Sequence, residues 1–135
     1  MAADPGPGHD RGHSPDHGSA SVDFVLVGGV LTLIFVSIMQ LTLILHVRNT
    51  LIDAAGSGAR YGTLADRGAA DAQERTEALI SAALTGEYAQ DVHVEEVLRS
   101  GVRTLRVTVR APLPAVGLIG PDGTLEVDGH AAFPR

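Results

Sequence analysis

Residues 24–47 read FVLVGGVLTLIFVSIMQLTLILHV, and this stretch decides how the rest of the chain is arranged. It carries no formal charge over 24 residues and is bracketed by Asp23 and Arg48. As a helix it rises roughly 36 Å, against a bilayer hydrocarbon core of about 30 Å. Thr32, Ser37, Gln40, Thr42 and His46 are its clearly polar members. Hydroxyls bond back onto their own helix, so they are tolerated in lipid. A buried helix of a soluble core seldom runs this long without a charge. The stretch is therefore expected to be a single membrane span, with a short tail before it and a small polar domain after it.

The totals narrow the function classes. Fewer than ninety residues follow Val47, enough for a small α+β module but too few for a deep substrate cleft. Net charge is −6, with three Phe, two Tyr, no Trp and no basic cluster, which disfavours nucleic acid as a partner. No cysteine is present, so disulfides, thiolate metal sites and thiol nucleophiles are all excluded. All ten basic residues are Arg, and with abundant Ala and Gly this points to a GC-rich bacterial coding sequence.

Before the span, MAADPGPGHDRGHSPDHG (1–18) is rich in Gly, Pro, Asp and His and is expected to be a disordered leader. His9, His13 and His17 recur every four residues, but the prolines and glycines among them oppose the helix that would align three imidazoles. A solvated tail is the expectation, with a metal-binding tail as the sharper alternative. A secretory signal peptide does not fit, because the start is acidic and the apolar run far exceeds 7–15 residues.

At the junction stands Gly18-Ser19-Ala20-Ser21-Val22-Asp23-Phe24. A carboxylate at the edge of an apolar helix is costly unless compensated. Asp23 fits either of two roles. It can sit in interfacial water near the positive end of the helix dipole. Alternatively, cleavage after Gly18 gives Ser19 a free amine one helical turn from Asp23, able to pair with it or with the carboxylate of a neighbouring subunit. Glycine suits a cleavage point because it lets a protease approach the backbone closely.

This junction resembles the processing site of type IV prepilins, in which a membrane aspartyl peptidase cuts after Gly and an acidic residue, usually Glu, stands fifth in the mature chain. Asp23 holds that place, shorter than Glu by one methylene, and the aromatic Phe24 follows. Beyond the span, Asn49, Ala54, Ala55, Gly58, Ala59 and Arg60 match the run that follows the membrane helix in the TadE-like family, minor-pilin-like proteins of tight-adherence pilus systems. The resemblance covers about 18–62. It implies a processing point at Gly18 and Ser19, peptidase recognition and assembly through Asp23 and Phe24, and partners in the membrane: a prepilin peptidase, an assembly platform with its ATPase, and other pilin-like subunits. It also implies a cytoplasmic leader and an extracytoplasmic C-terminal module. The positive-inside rule weakly opposes that orientation, since Arg11 precedes the span and Arg48 and Arg60 follow it.

Apart from any family, Ala54, Ala55, Gly58 and Ala59 form a small-residue stripe that permits close helix packing if the helix continues. The other reading of this stretch is a Gly-rich linker. Further along, 69–84 patterns as an amphipathic helix with Ala72, Ala78, Leu79, Ala82 and Ala83 as its apolar stripe. Strands are expected over 92–98, 102–110 and 124–132, with turns at Ser100-Gly101 and at Pro121-Asp122-Gly123. In the second, Leu105, Val107 and Val109 face one way; in the third, Leu125, Val127 and Gly129 do.

The expected architecture is α+β: a leader (1–18), a transmembrane helix with its small-residue extension (19–62), and a small module (63–135) of one helix on a roughly three-stranded antiparallel sheet. No catalytic residues, metal ligands, cofactor or small-molecule substrate are expected, because His93 and His130 stand alone and no nucleophile, metal or phosphate-binding motif is present. The rival reading is an uncleaved single-pass protein whose small domain binds another envelope protein.

Overall fold

The computed structural model describes residues 2–8, 16–114 and 123–135, with the backbone alone for residues 16 and 17. The leader histidines' side chains and the expected turn residues Pro121 and Asp122 lie outside the described residues. Two compact units divide the chain, Met1–Phe35 and Val36–Arg135.

The first unit holds an irregular exposed segment (2–8) and the opening half of helix α1, Asp16–Gly62. Its large apolar side chains are exposed, including Phe24 at 81% and Phe35 at 63%. Thr32 Oγ1 donates to the Gly28 carbonyl at 2.8 Å, and in the second unit Thr42 and Thr50 donate in the same way to Ile38 and His46. Each hydroxyl is thus satisfied without water, as an apolar surrounding requires.

The second unit contains the remainder of α1, helix α2 (Ala69–Ala83), a short 3₁₀ turn (Gly86–Ala89) and strands β1 (Asp91–Arg99), β2 (Val102–Pro112) and β3 (Thr124–Ala132). The strands form an antiparallel meander in the order β1-β2-β3. Ser100 and Gly101 both take positive φ, 51° and 77°, between the paired residues Arg99 and Val102. Two such residues in a two-residue loop match the right-handed twist of the flanking strands.

Alternation in the strands sends Val92, Leu105, Val107, Val109, Ala111, Val127 and Gly129 inward. Apart from Gly129, they share one core with Val47, Leu51, Ala54, Ala55 and Ala59 of α1 and with Ala72 and Ile80 of α2. Leu51, Ile80, Leu105, Val107 and Val109 are fully buried, and each contributes about 1.5–3 kcal/mol by leaving water.

The expected helix in 69–84 is present, but it turns a different face to the core. Ala72, Thr76 and Ile80 are buried, whereas Ala78, Ala82 and Ala83 are exposed and Leu79 is half-buried. Thr76 enters the core at no polar cost because its hydroxyl donates to the Ala72 carbonyl at 2.8 Å. Helix α2 starts where the Asp71 carboxylate accepts the Gly68 N–H at 2.9 Å, and Arg67 lies 3.5 Å from the same carboxylate.

Candidate functional site

Three groups of residues bear on function, and each follows from its place in the chain. The first is the junction. Gly18, Ser19, Asp23 and Phe24 all lie exposed on α1. Ser19 and Asp23 are one turn apart. Because α1 begins at Asp16, the Gly18–Ser19 peptide bond falls in the first turn, where backbone N–H groups lack helical partners and the helix opens at least cost. Nothing described stands within 4 Å of where a Cβ on Gly18 would be, so its backbone is open to approach.

The second group is the small-residue stripe. The helix does continue through it, to Gly62, and Ala54, Ala55, Gly58 and Ala59 are all buried. Their close packing is spent inside the chain. A Cβ on Gly58 would stand 1.8 Å from Thr76 Oγ1 and 2.8 Å from the Ala72 carbonyl oxygen, so α2 rests directly on α1 there. A Cβ on Gly129 would stand 2.3 Å from the Ala55 carbonyl carbon and the Gly56 nitrogen, so β3 meets the α1 backbone itself.

The third group is the outer face of the sheet. Register brings Asp91, Arg110 and Glu126 into one row, His93, Thr108 and Asp128 into the next, and Glu95, Arg106 and His130 into a third. Arg110 Nε donates to Glu126 at 2.6 Å, Thr108 Oγ1 donates to Asp128 at 2.6 Å, and Arg106 donates to Glu95. The hydrogen bonds and charges of Glu95 and Glu126 raise the pKa of Arg106 and Arg110 above the ordinary arginine value. Both guanidiniums therefore stay charged wherever the fold survives. With histidines neutral, four carboxylates face two guanidiniums, a net −2 over the lattice. Arg106, Thr108 and Arg110 alternate with the apolar residues of the second strand in the sequence itself, but the rows appear only once the register is known.

Among the described residues no three or more His, Asp or Glu side chains are placed to hold a metal ion. His93 and His130 sit exposed in different rows of the lattice.

The model of the TadE-like protein family matches residues 18–60. That segment is TadE-like. The match begins at Gly18, ends at Arg60, and takes in the junction, the apolar run and the small-residue stripe. A helix long and apolar enough to cross a membrane runs through the TadE-like segment, and none of its most apolar window is buried. No curated protein and no solved structure matches the chain. The outer sheet face lies beyond the TadE-like segment.

Proposed function

We propose that the chain is a membrane-anchored, pilin-like subunit or assembly factor of a tight-adherence-type pilus or related secretion apparatus, processed by a prepilin peptidase after Gly18. The observation that carries this reading is a TadE-like match that starts at Gly18 and runs unbroken into an uncharged, exposed helix. The leader then lies in the cytoplasm and the module outside the membrane, with an assembly platform and other pilin-like subunits as partners. In this role the protein is a substrate of the peptidase, not an enzyme, and uses no cofactor. Removal of 1–18 creates an ammonium on Ser19 one turn from Asp23, and the pair offsets the cost of a carboxylate beside lipid.

The intact mass of protein extracted from membranes tests the reading. Loss of residues 1–18, leaving Ser19 as the first residue, is expected. Retention of the leader in a host with an active peptidase overturns processing and leaves an uncleaved anchor whose module, with its lattice of charge, binds another envelope protein. Asp23→Ala is expected to weaken association with other subunits, read by co-purification of the processed chain. A reporter fused after Arg135 and active only in the cytoplasm would reverse the orientation.

A further inference from the structure

The end of the module at the β2–β3 connection meets α1 inside the apolar run, not beyond it. Gln40 Nε2 donates to the Pro114 carbonyl at 2.6 Å, two turns before the run ends at Val47. Burial on α1 begins at the same level. Residues 18–39 are all exposed, then Gln40, Leu43 and Ile44 are partly covered and Val47 and Leu51 are buried, a stripe at helical spacing. On the other side of those turns, Leu41 and Leu45 remain 58% and 47% exposed. The last two turns of the apolar run thus have protein on one side and large apolar side chains uncovered on the other.

Length explains how both conditions hold. Phe24 to Val47 rises roughly 36 Å, longer than a core of about 30 Å, which the 20 residues from Phe24 to Leu43 already cross. The lipid span therefore ends near Leu43, one turn past Gln40, and the turns up to Val47 stand in the headgroup layer, where leucines and polar groups are both accommodated. Whatever lies beside Gln40 lies at the inner edge of that layer. Leu113, half-buried, and Pro114 do so.

On the reading of α1 as a membrane span, we infer that the β2–β3 end of the sheet is a lipid-contacting surface seated in the outer headgroup layer of the same membrane. The β1–β2 turn, at the opposite end of the strands, stands in water. Pro112 and Thr124, paired across the end of the sheet, mark the seated end, and Leu98, exposed near the other turn, marks the free one.

The absence of cysteine makes the test direct. Full-length chains carrying Ile34→Cys, Thr124→Cys or Leu98→Cys, each labelled with a nitrobenzoxadiazole fluorophore, are placed in phosphatidylcholine nanodiscs with acyl chains brominated at shallow or deep positions. Strong quenching of the Ile34 probe by deep bromines, at least twofold greater quenching of the Thr124 probe by shallow than by deep bromines, and no quenching at Leu98 are expected. An Ile34 probe that is quenched beside a Thr124 probe as unaffected as Leu98 overturns the seating and leaves the anchor standing. An Ile34 probe that escapes quenching overturns the seating and the membrane span together.

Discussion

Gly129 has no room for a methyl group, and this places β3 directly on the backbone of α1. A Cβ there would stand 2.3 Å from Ala55 C and Gly56 N, and a backbone cannot rotate aside as a side-chain tip can. Gly129→Ala is expected to lower module stability by about 1–3 kcal/mol or more, since overpacking forces elements apart. Gly56, one position along, gives the contrast. Its Cβ would meet only the flexible end of Arg60 at 3.5 Å, and α1 gains from a better helix former. Gly56→Ala is expected to stabilise by about 0.5–1 kcal/mol. Thermal unfolding of the two variants in detergent, followed by β-sheet circular dichroism, should move in opposite directions. The sequence alone does not separate these glycines. The stripe reading singled out Gly58 from spacing on one helix, whereas Gly129 is explained only by a partner 74 residues earlier, which no local pattern encodes.

At the scale of elements, what was legible was periodicity and what was not was facing. Strand β2 alternates so regularly that Leu105, Val107 and Val109 declare their side in advance, and they are buried. Ser100-Gly101 declares its hairpin because few residue pairs take positive φ twice. Helix α2 is different: Ala occurs on most of its faces, so its amphipathicity is too weak to choose one. The choice is made by α1, whose Gly58 and Gly62 leave a groove that accepts Ala72 and Thr76. Ile80 is then the one large side chain that α2 buries completely. Ile80→Ala should destabilise the module by about 2–5 kcal/mol, whereas Ala82→Ser, on the exposed face, should stay within about 0.5 kcal/mol. Urea titration of both variants in the same detergent checks this; equal midpoints would mean that α2 contributes nothing to the core.

For the whole molecule, the membrane imposes a constraint that the module cannot. A chain that buries Val47 and Leu51 in protein while leaving Leu33 and Ile34 exposed needs an apolar surrounding for the second pair, and on the reading of α1 as a membrane span that surrounding is lipid. A uniform apolar run from 24 to 47 hides that division, because Leu in lipid and Leu against protein are the same letter; Gln40 is the residue that marks where one surrounding gives way to the other. The consequence is a depth-dependent tolerance of charge. Leu33 and Leu45 are both exposed, at 66% and 47%, and both lie within the uncharged run. Leu33→Lys puts an ammonium near the centre of the span, where it costs about 2.5–3.5 kcal/mol. Leu45→Lys puts the same charge three residues from Arg48, in the headgroup layer, where a lysine reaches phosphate by extending its stem. The carbonate-resistant membrane fraction should fall severalfold for Leu33→Lys and match the parent protein for Leu45→Lys. If the two variants fall together, the lipid span extends to Val47, and the sheet end beside Gln40 has no headgroup layer to rest in.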